Sequence, residues 1–319
     1  MKPKIVFLDC LTVNAGDLDW QPFEALGDFT AYDRTETADI VSRAAGADIV
    51  LLNKTPMTAE TLAALPRLRL ICVAATGYDV VDVAAARSLG IDVCNCAGYG
   101  TKAVAQMVVA LLLEATNRVG HYAEANRHGL WSGSKDFCCW DSPLTELDGK
   151  RLAIVGFGNI GHAVADMLRP FGVALYAVTS KPQEALPTDV GKMTLDEAFS
   201  TCDIVSLNCP LTRENERFVN GDLLEKAKDG LILINTARGR LVDDDAVAGA
   251  LRKGRLAYYL ADVLSTEPPR ADHVLLHEPN AYITPHIAWA TAEARQRILD
   301  IIVSNIQAFM AGRPQNVVN

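Results

Sequence analysis

This sequence of 319 residues lacks long apolar runs, an excess of basic residues and cysteines at the C-x-x-C spacing. The longest apolar run, Met107 to Leu113, ends at Glu114 and falls far short of the roughly 18 residues that indicate a membrane-spanning helix. Lys and Arg total 30 against 39 Asp and Glu, and the net charge of -9 offers no positive surface for phosphate backbones or anionic membranes. We therefore expect neither a nucleic acid nor a membrane as partner.

The eight cysteines do not show the C-x-x-C spacing of zinc or dithiol sites, and several lie inside apolar segments. No metal site is therefore predicted, and the thiols are interpreted as reduced and mostly buried. The adjacent pair Cys138 and Cys139 leaves a redox role open, although chain neighbours rarely form a disulfide. Near the start of the chain, the apolar run Ile5 to Leu8 is too short for the central region of a signal peptide, which predicts a cytoplasmic protein.

The chain does contain a repeated alternation of short β-branched runs and amphipathic segments. This alternation is typical of parallel sheets covered by helices, so an α/β fold is predicted. The first series has predicted strands at Ile5–Leu8, Asp48–Leu52, Leu70–Val73 and Ile91–Val93, with helices over 58–65 and 81–89. The second series has predicted strands at Leu152–Val155, Val173–Val178, Asp203–Leu207, Leu231–Ile234 and Leu256–Val263.

Two longer helices suggest how the chain divides into domains. From Thr101 onwards, apolar residues recur in steps of three and one, which marks the buried face of a helix that would connect two domains. Another helix is predicted from Thr291 to Met310. If it returns to the first series, the first domain is discontinuous. We therefore predict one domain of residues 1–100 and 288–319, and a second of residues 101–287.

A glycine-rich motif, Gly156-Phe157-Gly158-Asn159-Ile160-Gly161, stands directly after a predicted strand and opens a helical segment. In dinucleotide-binding turns the first Gly permits a tight turn, the second lets the backbone approach a pyrophosphate, and the third allows close helix–strand packing. Glycine-rich turns are common, and the strand–turn–helix setting is what distinguishes this one. The second domain is therefore predicted to be a Rossmann-type nucleotide domain.

The acidic residue that usually accompanies this motif is absent. NAD-binding domains carry it about 20 positions further on, where it binds the ribose hydroxyls. Here Thr179-Ser180-Lys181 follows the next strand, and the first carboxylate is Glu184. Neutral hydroxyls and a lysine suit a 2′-phosphate, so NADP(H) is at least as well supported as NAD(H). The alternative is that Lys181 is a solvated loop residue, and the cofactor stays undecided between NAD(H) and NADP(H).

A candidate substrate anchor follows another buried strand, in the run Asn235-Thr236-Ala237-Arg238. At the carboxyl end of a strand in an open α/β sheet, side chains face the ligand crevice. The planar guanidinium of Arg238 can bind a carboxylate through two parallel hydrogen bonds. Arg240 is the competing candidate, but we expect it to point to solvent.

Two further ionisable residues, Glu267 and His286, each follow an apolar run. His286 comes after a predicted strand and a proline that fixes the backbone. A structural histidine in the core is the alternative interpretation until the geometry is known. The remaining histidines are interpreted as needing only solvent or surface partners: His121, His128, His162, His273 and His277.

Taken together, these motifs resemble the D-isomer-specific 2-hydroxyacid dehydrogenase family over essentially the whole chain. The segments that carry the resemblance are Ala74–Asp82, Asn95–Thr101, the Gly156 turn, Asn235–Asp243, Asp262–Pro268 and Thr284–Ala288. Two segments, Asn53–Pro56 and Asp136–Asp141, are most similar to its glycerate dehydrogenase, or hydroxypyruvate reductase, branch.

The resemblance implies two doubly wound parallel-sheet domains, a flavodoxin-like substrate-binding domain and the Rossmann-type nucleotide domain. It implies His286 as the acid/base, Glu267 as its partner and Arg238 as the substrate anchor, with the backbone around Thr76 and Gly77 receiving the substrate carboxylate. The implied cofactor-binding residues are Gly156, Gly158, Asn159, Ile160, Gly161, Thr179, Ser180, Lys181, Pro210, Thr236, Ala237, Asp262 (near the nicotinamide amide), Thr101 and Ala288.

A homodimer is also implied, with its interface in the Thr101 to Arg118 region. Phe137 and Trp140 would border the substrate cleft or pack on the partner subunit.

The predicted function is the NAD(P)-dependent reduction of a small 2-keto acid to its D-2-hydroxy acid, with hydroxypyruvate and D-glycerate preferred and glyoxylate and glycolate next. His286 would give a proton to the keto oxygen, Glu267 would favour and orient its imidazolium form, and Arg238 would hold the carboxylate. The alternative is a dinucleotide-sensing, corepressor-like binding protein on the same fold.

Overall fold

The computed structural model describes residues 2–319, which fall into two compact units. One unit comprises the described residues up to Gly100 together with Trp289–Asn319, and the other comprises Thr101–Ala288. Each unit contains a parallel β-sheet, which confirms the predicted α/β class with two parallel-sheet domains. Across residues 2–319, we find no helix whose length and apolar content would let it span a lipid bilayer.

The first unit is built on a five-stranded parallel sheet. Its strands are β1 (Lys4–Phe7), β2 (Asp28–Ala31), β3 (Ile49–Leu52), β4 (Leu70–Val73) and β5 (Asp92–Cys94), and its helices are α1 (Gln21–Leu26), α2 (Ile40–Ala44), α3 (Ala59–Ala63), α4 (Val83–Ser88) and the C-terminal helix Ala292–Met310. The strand order β2-β1-β3-β4-β5 is that of the flavodoxin-like doubly wound sheet.

The core of this unit lies on both faces of the sheet. All residues of β3 and β4 are buried, because helices cover both faces, and this explains why these strands appear in the sequence as continuous apolar runs. The C-terminal helix packs Ile298, Ile302 and Ile306 against one face. Its N-cap Thr291 accepts a hydrogen bond from the Ala294 backbone N–H.

The second unit is built on a seven-stranded parallel sheet. Its strands are β6 (Arg151–Val155), β7 (Ala174–Val178), β8 (Val190–Lys192), β9 (Ile204–Leu207), β10 (Leu231–Asn235), β11 (Leu256–Ala261) and β12 (Ala281–Ile283). Its helices are α5 (Thr101–Asn117), α6 (Val119–Arg127), α7 (Asn159–Leu168), α8 (Leu195–Thr201), α9 (Gly221–Glu225) and α10 (Asp244–Arg252). The strand order is β12-β11-β10-β9-β6-β7-β8. Successive strands are added on one side of β6 up to β8 and on its other side from β9 onwards. Ligands of such sheets bind outside the carboxyl ends of the strands at this switch point, between β6 and β9.

Between α6 and β6 the chain forms an irregular segment, which contains three exposed aromatic side chains, Trp131, Phe137 and Trp140. Phe137 is 89% exposed and Trp140 is 68% exposed. The segment is fastened to α6 by Asp141, whose carboxylate lies 2.6 Å from His121 Nε2 and accepts a hydrogen bond of 3.0 Å from the Tyr122 hydroxyl. The hydrogen bond to His121 is the main cause that lowers the pKa of Asp141.

The sequence pattern does not predict some of the short elements. β2 and β8 lie at the edges of their sheets, and in β2 only alternate residues are half-buried, so neither strand has a long apolar run. Helix α6 has no buried residue and therefore no apolar face to detect. Elements that are buried on both faces, such as β4, lie where the sequence predicts them.

Candidate active site

The glycine motif forms the turn from β6 into α7. Gly156 has a φ of 91°, in the left-handed region that favours glycine, and a Cβ at this position would lie 2.6 Å from the backbone nitrogen of Cys209. At Gly161 a Cβ would lie 2.3 Å from the carbonyl oxygen of Gly156. Gly158, in contrast, has no atom within 4 Å of its Cβ position. The turn thus leaves space at the second glycine, where a pyrophosphate approaches the backbone.

Helix α7 begins immediately after this space. Asn159 and Ile160 are its first residues, and the N-cap residue Gly158 provides no side-chain cap. The backbone N–H groups of a first helical turn have no partner within the helix and bear a partial positive charge. This arrangement suits an anionic group.

Two buried polar atoms mark the same edge of the sheet. Asn208 follows β9 and Thr236 follows β10, and within the described residues Oδ1 of Asn208 and Oγ1 of Thr236 have no hydrogen-bond partner. Buried polar atoms are normally paired, so these two are positioned to be satisfied by a polar ligand. Together with the glycine turn, they fit the nicotinamide dinucleotide that the motif predicts.

The residues that replace the usual acidic side chain lie just beyond β7. The hydroxyl oxygen of Thr179 accepts a hydrogen bond of 3.3 Å from the Lys181 backbone N–H. The Lys181 ammonium donates a hydrogen bond of 2.9 Å to the carbonyl oxygen of Phe157, inside the glycine turn. Lys192, at the end of β8, donates to the carbonyl oxygen of Lys181 at 2.6 Å. Lys181 is therefore exposed to solvent and also hydrogen-bonded to the glycine turn.

Glu267 and His286 form a hydrogen-bonded pair. Nδ1 of His286 lies 2.6 Å from Oε2 of Glu267, and the other carboxylate oxygen accepts a bond of 3.0 Å from the Leu264 backbone N–H. Because a carboxylate is an acceptor, Nδ1 carries the ring proton, and Nε2 is the nitrogen that can give or take a proton. Both side chains are 36% exposed, so this is not a histidine of the core.

The turn that carries His286 is held by Asp262. This carboxylate is 1% exposed and accepts hydrogen bonds from the Thr284 hydroxyl at 2.5 Å and from the backbone N–H groups of Ile287 at 2.9 Å and Ala288 at 2.7 Å. These bonds fix the backbone on both sides of His286, whose φ of 54° lies in a region that few non-glycine residues adopt. A contact between Asp262 and the nicotinamide amide stays a prediction.

Arg238 lies on a turn that follows β10. The side chain of Asn235 shapes this turn, since its amide donates to the Arg238 carbonyl oxygen at 2.9 Å and its oxygen accepts from the Ala237 N–H at 3.1 Å. The guanidinium of Arg238 is exposed and donates to the Ala237 carbonyl oxygen at 2.7 Å. At Gly239, a Cβ would lie 1.9 Å from the Leu264 carbonyl carbon, so the Arg238 turn and the Glu267 turn are in direct backbone contact.

Other predicted residues occupy less informative positions. Arg240 is exposed, as expected, and pairs with Glu216 at 2.6 Å. Thr76 and Gly77 belong to the first unit, where they follow β4, and their role at the substrate carboxylate stays a prediction. Pro210 follows β9, and Thr101 is the first residue of α5.

The interpretation of His273 as a residue with only solvent or surface partners is wrong. Its contacts identify two further residues near the site, Asp244 and Ser265. His273 is not a surface residue: its side chain is 12% exposed, and its Nε2 lies 3.2 Å from Oδ2 of Asp244. The same oxygen accepts a hydrogen bond from the hydroxyl of Ser265, two residues before Glu267. The partners in these two contacts are 21 and 29 residues apart along the chain, so the spacing of residues in the sequence does not predict them.

Comparisons with known proteins agree with this geometry. The family model described as D-isomer specific 2-hydroxyacid dehydrogenase, NAD binding domain, matches residues 109–288. A hydroxypyruvate reductase of Blautia hydrogenotrophica is 44% identical over 320 residues, covering 99% of each chain. A glycerate dehydrogenase of Methylorubrum extorquens is 39% identical over 321 residues, covering 100% of this chain and 99% of the relative. The crystal structure of an NADPH-dependent glyoxylate/hydroxypyruvate reductase from Sinorhizobium meliloti, in complex with NADP and malonate, superimposes with a TM-score of 0.83 at 27% identity, covering 100% and 97% of the two chains.

The Rossmann-type unit and its Glu–His pair define a nicotinamide-dependent dehydrogenase, and the comparisons show which kind. The chain belongs to the D-isomer-specific 2-hydroxyacid dehydrogenase family, in its glycerate dehydrogenase and hydroxypyruvate reductase branch. It is an oxidoreductase that transfers hydride between NAD(P)H and a small 2-keto acid to give the D-2-hydroxy acid. The alternative of a corepressor-like binding protein is not favoured, because these relatives are named as reductases and dehydrogenases.

Proposed function

We propose that this enzyme reduces hydroxypyruvate to D-glycerate, with glyoxylate as a further substrate, and that His286, Glu267 and Arg238 carry the reaction. The observation that carries this proposal is the 2.6 Å hydrogen bond between His286 and Glu267 beyond the carboxyl ends of β11 and β12. The names of the two similar relatives support the choice of substrate.

His286 acts as the proton donor in the reduction. When NAD(P)H is bound, it supplies the hydride for the keto carbon. Protonated His286 gives its Nε2 proton to the keto oxygen, which becomes the hydroxyl group, and takes a proton back in the reverse direction. Glu267 accepts a hydrogen bond from Nδ1, so it fixes the ring orientation, and its negative charge stabilises the imidazolium ion.

Arg238 binds the carboxylate of the substrate. Its guanidinium donates to a neighbouring backbone carbonyl in this structure, and a substrate carboxylate would offer two charged acceptors instead of one neutral one. The positive charge also polarises the adjacent keto group. The backbone around Thr76 and Gly77 is our second candidate for contacts with the same carboxylate.

NADP(H) is the preferred cofactor in this proposal. The support is the absence of a carboxylate directly after β7, together with the Lys181 ammonium that lies against the glycine turn. A 2′-phosphate needs positive charge and hydroxyl groups at this position, and Thr179 and Ser180 supply the hydroxyls.

The proposed function is tested by steady-state kinetics with purified enzyme. Hydroxypyruvate, glyoxylate and pyruvate are each assayed with NADH and with NADPH, and hydroxypyruvate is expected to give the highest kcat/KM. His286→Ala should lower kcat by about 10²- to 10⁴-fold without weakening cofactor binding, because it removes the proton donor. His128→Ala is the matched control. His128 is the C-cap residue of α6, and its side chain is 75% exposed. A wild-type enzyme that reduces none of the three acids refutes the function, and an active His286→Ala refutes the assignment of the acid.

We also propose that the enzyme is a cytoplasmic homodimer. The exposed Phe137 and Trp140 support a contact with a second copy, in addition to the predicted Thr101–Arg118 region, since exposed aromatic side chains are enriched at protein interfaces. Sedimentation equilibrium of the wild type and of Phe137→Ser/Trp140→Ser is the test. A monomeric wild type, or a double variant that dimerises as tightly as the wild type, contradicts the proposed contact.

A further inference from the structure

A partly buried polar cluster contacts the turn that carries Glu267. Its centre is Asp244, the first residue of α10, whose side chain is 16% exposed. Oδ2 of Asp244 accepts a hydrogen bond from the hydroxyl of Ser265 and lies 3.2 Å from Nε2 of His273. The fully buried Tyr259 is also close, because the charge of Asp244 contributes, after burial itself, to raising the pKa of that phenol.

The hydrogen bonds of His273 have a defined direction. Nδ1 of His273 lies 3.4 Å from the Leu275 backbone nitrogen, and a backbone N–H can only donate. Nδ1 is therefore the acceptor, and Nε2 of the neutral ring carries the hydrogen that is donated to Asp244. Asp244 thus receives two hydrogen bonds at one oxygen, from two different segments of the chain.

The cluster connects the two turns that bear the catalytic side chains. Ser265 lies between Leu264, whose N–H binds the Glu267 carboxylate at 3.0 Å, and Glu267 itself. On the other side, Gly239 packs its backbone against the Leu264 carbonyl group. Asp244 begins the helix that follows Gly239 after a short 3₁₀ turn, so it is anchored to the Arg238 segment.

We propose that Asp244 is a positioning residue for Glu267. By accepting the hydrogen bonds of Ser265 and His273, it holds the Leu264–Glu267 turn against the Arg238–Gly239 turn and keeps the Glu267 carboxylate within reach of His286 Nδ1. Asp244 acts through Ser265 and does not contact the reacting atoms. This inference rests on the proposed function, because it concerns the orientation of the proton donor.

The test compares Asp244→Ala and Asp244→Asn, with Asp245→Ala as the matched control at the exposed next residue of the helix. A displacement of about 1 Å at a catalytic group can reduce the rate by about 10²-fold, so Asp244→Ala is expected to lower kcat by about 10- to 100-fold. The dissociation constant for NADPH should stay within about twofold, since none of the residues predicted to bind the cofactor lies in the Leu264–Glu267 turn. Asp244→Asn keeps an acceptor oxygen at the same place and should recover most of kcat.

A purely structural role would lower the melting temperature and affect kcat and cofactor affinity together. Wild-type kcat in Asp244→Ala, or an Asp244→Asn variant as impaired as Asp244→Ala, overturns the inference. If Asp244→Ala does not fold, Ser265→Ala decides, because it removes one donor and leaves the carboxylate in place. It should lower kcat several-fold with unchanged NADPH affinity, and an unchanged kcat overturns the inference. Failure of the wild type to reduce any 2-keto acid would instead refute the proposed function.

Discussion

Cofactor choice is predicted to depend on two neighbouring residues after β7. Thr179 stands where an acidic side chain would bind the ribose hydroxyls of NAD, and Lys181 donates its ammonium hydrogen bond to Phe157 in the glycine turn. We expect Thr179→Asp to improve the use of NADH, because it restores the missing acceptor. We expect Lys181→Ala to impair the use of NADPH, because it removes positive charge from the proposed 2′-phosphate site.

The size of both effects follows from the environment of the two side chains. A hydrogen bond to a charged acceptor contributes about 1.5–3 kcal/mol. At about 1.4 kcal/mol for each factor of ten, the hydrogen bond gained in Thr179→Asp should lower the KM for NADH by about 10- to 100-fold. Lys181 is exposed, so solvent screens its attraction for a phosphate to about 1 kcal/mol, or about fivefold in the KM for NADPH. The double variant should therefore change the NADH-to-NADPH preference by on the order of 100-fold.

The assay measures initial rates at saturating hydroxypyruvate while NADH or NADPH is varied, and the ratio of the two kcat/KM values is compared. Lys253→Ala is the matched control. This exposed lysine is the C-cap residue of α10 and comes just before β11, so it lies at the amino ends of the strands, whereas Lys181 lies beyond their carboxyl ends. An unchanged ratio in Lys181→Ala, or a Thr179→Asp variant that loses NADH and NADPH activity equally, would refute the reasoning.

Two further predictions concern the turns around the site. Gly239→Ala should lower kcat by about 10²-fold. The added Cβ would lie 1.9 Å from the Leu264 carbonyl carbon, so the two backbones would have to separate by on the order of 1 Å. Steady-state kinetics test this prediction, and a variant with the wild-type kcat would contradict the contact. Asp243 caps α10, and its pKa is lowered by the Ala246 backbone N–H and then by Arg217. A lowered pKa in the folded state stabilises the fold above the unfolded-state pKa, and this stability is lost as the pH falls through the folded-state value. Asp243→Ala should therefore cost about 1 kcal/mol at pH 7 and progressively less below about pH 4, as followed by thermal unfolding; a loss that does not depend on pH contradicts the role of the charge.

The fold could be predicted from the sequence where burial is complete. β3 and β4 are apolar throughout because both faces of their sheet are covered, and such runs are visible without a structure. β2 could not be predicted, since a half-exposed edge strand carries little pattern. The capped C-terminal helix was predicted because Thr291 and a regular apolar face mark its start and its length.

The candidate site shows the same division between local and distant signals. The glycine turn is local, so its residues are recognisable from their order and from the strand before them. Lys181 was identified as a candidate, but its contact with Phe157 depends on how two loops meet. Asp244 is not predicted from the sequence, and His273 is wrongly interpreted as a surface residue, because their contact joins the first turn of a helix to a loop 29 residues away.

The site depends on strand ends that control the turns after them. Asn235 ends β10 and binds the backbone of the Arg238 turn, and Asp262, one residue past β11, binds the backbone on both sides of His286. These polar side chains are held in place, since each is at most 1% exposed and makes several hydrogen bonds to the turn that it supports. The proposed catalytic side chains are at least partly exposed, but buried polar side chains bind the backbone of the Arg238 and His286 turns. The Glu267 turn is held from a helix instead, because Ser265 in this turn donates a hydrogen bond to Asp244, the first residue of α10.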